Sequence, residues 1–423
     1  MKNIVVTKEF EELYNLLEVQ NKNVILFGGA GTGKSTFLNW FKNKTKKNVI
    51  VLAPTGIAAL NIGGQTIHSM FRFPLRPLTP GDIESLSWSK KQILKHADII
   101  VIDEISMVKA DILDSINWSL QINLGSKKKF AGKQILLMGD MFQLPPIVTN
   151  DVSFFYKQVY NSPYFFDSQI YKKMNFVHFS FEQVFRQANK EFVDKLNDIR
   201  FAQVKQDTLD YFNRRCQKCE EENILTITSY INSADLINRN KLEQIKGDKK
   251  VYKGTTWGKF KWDKSKTLTP LELELKIGAQ VIFTKNDENE RFKNGMIGKI
   301  VYLGNDRIGV EVDGKEIVVT KTSWEMVEPV WNENENKFDI KEVGGFEQYP
   351  LALGWAITIH KSQAQTYDKV KIDLGKGAFA PGQLYVALSR CKEYNNIYLT
   401  QPIKISDIFC DNVLLKWWKT VDK

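Results

Sequence analysis

Gly28-Gly29-Ala30-Gly31-Thr32-Gly33-Lys34-Ser35 decides how this chain is read. The eight residues fit the G-x4-G-K-S/T spacing of a phosphate-binding loop. A short apolar run, Asn23–Phe27, precedes them and a helical pattern, Ser35–Lys44, follows, which is the strand-loop-helix setting such a loop needs. Glycines let backbone N–H groups curl around phosphates, and the helix N-terminus adds a favourable dipole. Lys34 would neutralise charge on the β- and γ-phosphates, and the Ser35 hydroxyl would ligate magnesium. Gly29, Ala30, Gly31, Thr32, Gly33 and Thr36 complete the expected nucleotide cradle.

Working outward, further apolar, β-branched runs occur at Asn48–Ala53, Ile99–Ile102 and Gln134–Gly139, separated by helical patterns such as Asp111–Asn123. Strands alternating with helices predict a parallel sheet wrapped by helices, with ligands at the carboxyl ends of the strands. The run Ile99–Ile102 ends in Asp103-Glu104. A carboxylate there would hold magnesium through Asp103, while Glu104 would orient and deprotonate an attacking water. The run Gln134–Gly139 leads into Asp140-Met141-Phe142-Gln143-Leu144-Pro145-Pro146, where two prolines fix the loop and let Gln143 sense the γ-phosphate.

The composition fits such an enzyme. With 423 residues, several domains are expected. A 43% hydrophobic and 12% aromatic content supports sizeable cores and excludes a disordered tail protein. Lys plus Arg number 59 against 49 Asp plus Glu, and the resulting +10 makes a polyanion a reasonable partner, although charge alone does not separate nucleic acid from an anionic membrane or mere solubility. No apolar run approaches the roughly 18 residues of a membrane span. The start of the chain has neither signal-peptide nor transit-peptide character, so a cytoplasmic enzyme is expected, nucleoid-associated if bacterial. Four cysteines do not make a disulfide scaffold, and Cys216 and Cys219 read as a reduced pair at a helix end.

Two stretches break the α/β rhythm. Gly63–Pro80 carries Phe71, Arg72, Phe73, Pro74, Arg76 and Pro77 and reads as a small insertion. From about Leu271 to Val330 the pattern is strands alone: Leu271–Leu275, Gln280–Thr284, Ile297–Leu303, Gly309–Val312 and Glu316–Val319, with Asp313-Gly314 as a hairpin turn. This predicts a small β-barrel inserted into a larger domain. Lys246–Lys266 reads as a basic hairpin leading into it, and the charged stretch Glu333–Lys341 as a solvated connector. Trp417 and Trp418 read as the packing face of a final helix.

The order of these motifs resembles superfamily-one DNA helicases of the 5′-to-3′ subclass, most closely the Pif-type (petite integration frequency) family, with RecD-like enzymes as relatives. The residues that carry the resemblance are Gly28–Thr36, Ala53–Ala59, Thr66–Ser69, Val101–Met107, Gly139–Pro146, Phe185-Arg186-Gln187, Ile359–Thr366 and Gly382–Arg390. The resemblance implies an α/β fold of two RecA-like P-loop NTPase domains, with a small wedge insertion in the first and an SH3-like β-barrel in the second. The first motor domain would comprise residues 1–62 and 83–178 around a wedge at 63–82. The second would comprise 179–242 and 346–423 around an inserted hairpin and barrel at 243–345. It also implies ATP and Mg2+ between the two domains, Arg186 and Arg390 reaching the γ-phosphate, Gly382 near the nucleotide, and roles in DNA repair, recombination and telomere maintenance.

Single strands are held by phosphate contacts and aromatic stacking. The resemblance places strand contacts at Pro54, Thr55, Gly56, Thr66, His68 and Phe71, and at His360, Lys361, Ser362, Gln363 and Thr366. Lys285, Asn286 and Asn294 of the barrel are expected to close over the strand. The expected partners are single-stranded, duplex or forked DNA, bound by a monomer, with no membrane. Two departures stand out. Thr7-Lys8-Glu9-Phe10-Glu11 lacks the glutamine that reads adenine in many helicases, leaving backbone contacts or Phe10 for that task, and the family's Lys-Ser-Gln-Gly is Lys361-Ser362-Gln363-Ala364. An ATP-driven helicase is thus the leading expectation. A RecD-like, strand-stimulated translocase subunit and a non-enzymatic protein using ATP as a structural ligand are the alternatives.

Overall fold

The apolar runs become strands because their β-branched residues fill a pleated surface buried on both faces. In the computed structural model, residues 5–421 are described apart from 188, 218–223, 264–266, 288, 334, 336 and 364. Six parallel strands form one sheet in the order Gln65–Thr66, Val49–Ala53, Ile99–Ile102, Gln134–Gly139, Val24–Gly28, Val177–Phe181. Every residue of Val24–Gly28 and Ile99–Ile102 is buried. The helices Lys8–Tyr14 and Lys34–Lys44 cover one face through Phe10, Leu13, Phe37, Leu38 and Phe41.

Contacts divide the chain into two units: Met1–Arg186, Val327–Glu342 and Asp411–Lys423; and Gln187–Met326 with Val343–Cys410. The boundary expected after residue 178 lies instead at 186, because Val177–Phe181 pairs with Val24–Gly28 as the edge of the first sheet. Its alternating exposure gives it the pattern of a surface strand, easily separated from the sheet it completes. The helix Asn412–Val421, expected in the second motor domain, belongs to the first unit, where Trp417 stacks on Phe166.

The second unit holds a four-stranded parallel sheet in the order Ala356–Thr358, Leu225–Thr228, Val370–Asp373, Ile397–Leu399. An antiparallel five-stranded sheet lies between its parts in sequence. Its order is Lys315–Val319, Ile308–Val312, Ile297–Leu303, Gln280–Phe283, Leu351–Leu353, around a core that includes Val281, Phe283, Ile300, Ile308 and Val310. The basic hairpin expected at 246–266 does not form. Lys250–Lys253 pairs with Glu272–Leu275, whereas Thr255–Gly258 pairs with Gly344–Glu347. Gly254 allows the parting, since a Cβ there would lie 2.7 Å from the Phe346 ring and 2.9 Å from a backbone carbonyl. Part of the stretch read as a connector is strand too, within Lys337–Gln348. Cys216 is a free thiol, and Cys219 lies outside the described residues. No described helix is long and apolar enough to cross a membrane.

Candidate nucleotide and nucleic-acid sites

The strand order puts two sets of groups along one edge of the first sheet. Val24–Gly28, one strand in from the sheet's margin, runs into the glycine loop. Gly31 and Gly33 have φ of +81° and +89°, a region that disfavours any residue with a Cβ. A Cβ on Gly31 would also sit 2.4 Å from Arg186 Cβ. Glycine therefore lets Phe185-Arg186 lie directly on the loop, and the Phe185 N–H donates to the Gly31 carbonyl at 2.9 Å. Lys34 Nζ donates to the carbonyls of Gly28 (2.7 Å) and Gly29 (3.0 Å), folding its charge back over the cradle. The Thr32 hydroxyl donates to Gly29 at 3.1 Å. Ser35 and Thr36 open the helix Lys34–Lys44, whose N-cap is Gly33.

The next two strands of the sheet bring in the acids. Burial pushes the Asp103 carboxyl above the usual range, opposed by the Glu104 N–H, which donates at 2.9 Å, and by the charge of Lys34. Glu104 itself sits in the left-handed region (φ 49°, ψ 45°), which costs a residue with a side chain roughly 1–2 kcal/mol. Such conformations cluster where a side chain must be aimed. On the next strand, buried Asp140 receives the Phe142 N–H on one oxygen (3.3 Å) and the Gln143 side-chain amide on the other (3.4 Å). Asp140 is thus a positioning residue that sequence reasoning missed. Its signal was the Asp two residues before an N–H it accepts, an Asx-turn spacing.

The residues fit a magnesium nucleotide. A cradle of positive-φ glycines, a lysine held over it and a desolvated carboxylate two strands away are the donors a hard cation and a triphosphate require. Phe10 does not serve as a base platform. It is a core residue, packed against Phe37 and Phe181 at 5.3 Å. Two rings flank the Cβ position of Gly33, buried Phe10 at 3.6 Å and Phe185 at 3.7 Å, and of these Phe185 is the exposed one.

The other half of the same edge carries hydroxyls. Thr55 and Thr66 follow adjacent strands, paired through Ala53 and Thr66, and each caps a helix by accepting an N–H at 3.2 Å, from Ala58 and Ser69. Each hydroxyl keeps its proton to donate. Pro54, Gly56 and His68 are half-buried beside them, and a Cβ on Gly56 would meet nothing within 4 Å. Phe71 corrects an expectation. It is 1% exposed and stacks on buried Phe73 at 5.3 Å, so neither ring is free to meet a strand. The exposed apolar side chain of this segment is Leu75, at 77%. The segment is tied to the helix Ala110–Leu124, whose Asp111 accepts the Leu78 N–H (3.0 Å), and just beyond the segment Asn123 of the same helix accepts the Leu86 N–H (2.8 Å).

In the second unit, Thr358 caps the short helix Ile359–Ser362. Burial lowers the pKa of His360, and Lys361 Nζ donates to the Thr267 carbonyl at 3.3 Å. Ser362 is buried with its hydroxyl on Ile359, Thr366 is half-buried, and Ala364 lies outside the described residues. Gln363 Nε2 is buried with no hydrogen-bond partner among the described residues, an orphan donor in the loop expected to grip a strand. Lys285 and Asn286 depart from expectation. Lys285 Nζ donates to Thr322 Oγ1 (3.1 Å) and the Ser323 carbonyl (2.6 Å), tying its loop to the strand Thr322–Asn332, and Asn286 Oδ1 accepts the Asn294 N–H (2.8 Å), bracing its own loop.

Arg390 departs furthest. Expected to reach the γ-phosphate, it is 1% exposed, with its guanidinium donating to the carbonyls of Val386 (2.9 Å), Gln365 (3.2 Å) and Ser362 (3.4 Å) and to the Ser389 hydroxyl (2.8 Å). Gly382, φ 73°, caps the helix Gln383–Leu388 that carries it. Five donors in a fixed fork satisfy several carbonyls at once, which a sequence motif does not reveal.

Residues 5–209 match the sequence profile of PIF1-like helicases. The ATP-dependent DNA helicase Pif1 of Campylobacter jejuni is 31% identical, with 95% of this chain and 94% of that protein covered. The crystal structure of Pif1 from a Bacteroides species with ADP-AlF4 is 35% identical, with a TM-score of 0.90 over 99% of this chain and 98% of that one. Bacteroides Pif1 bound to ssDNA matches with a TM-score of 0.74, over 99% and 97% of the two chains.

Proposed function

The chain belongs to the PIF1-like helicase family as an ATP-dependent DNA helicase, and from that premise we propose how its residues divide the work. The observation that carries the reading is the carboxyl edge of the first sheet. One half of it presents a glycine cradle, Lys34, Asp103 and Glu104; the other presents the capped hydroxyls of Thr55 and Thr66. Phosphates of ATP belong at the first and phosphates of a DNA strand at the second. Ser35 and Asp103 would hold magnesium, which when bound neutralises phosphate charge. Lys34 leaves the Gly28 and Gly29 carbonyls for the phosphates, Glu104 accepts a proton from the attacking water, and Gln143, steadied by Asp140, orients that water against the γ-phosphate. Arg186, laid along the glycine loop by Gly31, supplies positive charge from the same unit.

On this reading each unit centres on a RecA-like motor domain. Residues 63–82 form the wedge insertion, with Leu75 rather than Phe71 at its surface, and the antiparallel sheet of the second unit is an SH3-like barrel. The orphan amide of Gln363 takes a strand phosphate, and small hydroxyl and amide donors allow release on every cycle. Polarity is 5′-to-3′. Duplexes carrying either a 5′ or a 3′ single-stranded tail, mixed with the protein, ATP and magnesium, test this directly: unwinding is expected with the 5′ tail, and unwinding of the 3′-tailed duplex alone would reverse the assignment.

A further inference from the structure

The helix Asn412–Val421 reaches the nucleotide machinery from behind, at two points. Trp417 fastens it, stacking on Phe166 with centroids 4.3 Å apart and meeting Phe165 edge-on at 5.8 Å. Trp418 lies edge-to-face against Phe27 at 5.0 Å and Phe142 at 5.1 Å. Those two rings are not ordinary neighbours. Phe27 is the residue before Gly28, where the phosphate loop begins, and Phe142 is the residue before Gln143. The Phe142 N–H and the Gln143 side chain share one carboxylate, that of Asp140.

We propose that Trp418 is a positioning residue for ATP hydrolysis: its indole bridges Phe27, on the strand that enters the phosphate loop, and Phe142, in the Gln143 loop, and holds that loop in place against the strand. Trp418 touches neither the nucleotide nor the attacking water. It acts by holding Phe142, and through the Asp140 carboxylate the orientation of Gln143. Edge-to-face aromatic contacts have defined geometry, and a displacement of about 1 Å far from the reacting atoms costs on the order of 10²-fold in rate. The inference rests on the role given to Gln143 in the proposed function.

The test is strand-stimulated ATPase of the full chain and of its Trp418→Ala, Trp418→Leu, Trp418→Phe, Gln143→Ala and Trp418→Ala/Gln143→Ala variants. Trp418→Ala should lower kcat about tenfold while the KM for ATP stays within about twofold. Trp418→Phe, which keeps an aromatic edge, should restore most of the rate. In the Gln143→Ala background the further loss from Trp418→Ala should shrink to under about twofold, because two residues acting through one group are not additive. Where the Ala variant does not fold, Trp418→Leu decides, with the same fall in kcat expected. An unchanged kcat in a folded Ala or Leu variant, or an equal tenfold loss with and without Gln143, overturns the proposal. A Gln143→Ala protein with wild-type kcat overturns the role of Gln143, and the inference with it.

Discussion

The two parallel sheets set opposite kinds of basic residue at the service of their loops. In the first, Lys34 rests on two backbone carbonyls at the mouth of a glycine cradle, bonds that a phosphate can replace. In the second, Arg390 is buried and its guanidinium is committed to three carbonyls and a hydroxyl. The difference teaches that a cation in a motif has two uses. One is a charge kept for a ligand; the other is a charge that knits loops together, here the segments ending at Ser362 and Gln365 with the helix before Ser389. On the proposed reading the first unit keeps its lysine and its buried acid for chemistry, while the second uses the buried Arg390 guanidinium to hold its own loops.

Substitutions separate these uses. The largest effect is expected for Lys34→Ala, which should lower strand-stimulated ATPase by at least about 10³-fold and abolish unwinding, with the melting temperature nearly unchanged. A variant that still unwinds duplex would break the assignment of Lys34 to the ligand. Arg390→Ala should do the reverse in kind. It strands buried carbonyls and should cost roughly 3 kcal/mol of stability, measured by urea denaturation. Full stability with lost ATPase would return Arg390 to the nucleotide. The pair Thr55→Val and Thr66→Val removes two hydroxyl donors and two caps. It should weaken binding of a labelled single strand about tenfold and leave the KM for ATP within about twofold.

The smallest effect concerns pH. Burial depresses the pKa of His360, so the folded state prefers the neutral ring. Its contribution to stability is present above the unfolded pKa of about 6.5 and is lost as pH falls toward the lower folded value. Melting curves between pH 7 and pH 5.5 should therefore fall less steeply in a His360→Asn variant than in the parent. Equal slopes would show that the ring is not held neutral.

Legibility in the sequence followed the range of the interactions. The phosphate loop, Asp103-Glu104 and the strand Ile297–Leu303 are local patterns and lie where the sequence puts them. The edge strand Val177–Phe181 and the parting of Lys250–Lys253 from Thr255–Gly258 depend on partners far along the chain, and no local periodicity encodes those. Among site residues, Asp140 was hidden because its value lies in what it holds. Phe71 was misread because an aromatic among prolines has the composition of a loop tip, whereas its stacking on Phe73 makes it core. Arg390 matched a motif, but a motif records which residue is present and not which way its side chain faces.

The helix Asn412–Val421 also sets an order of events during synthesis. The first unit begins the chain, yet its aromatic contacts with Phe27, Phe142 and Phe166 come from residues translated after the whole second unit. A ribosome adding about 5–20 residues per second leaves residues 1–186 waiting through more than two hundred further additions before that helix emerges. In that interval the surface that Trp417 and Trp418 later cover, including Phe27 and Phe166, is unprotected. A nascent chain held at that stage would be the form most in need of a chaperone.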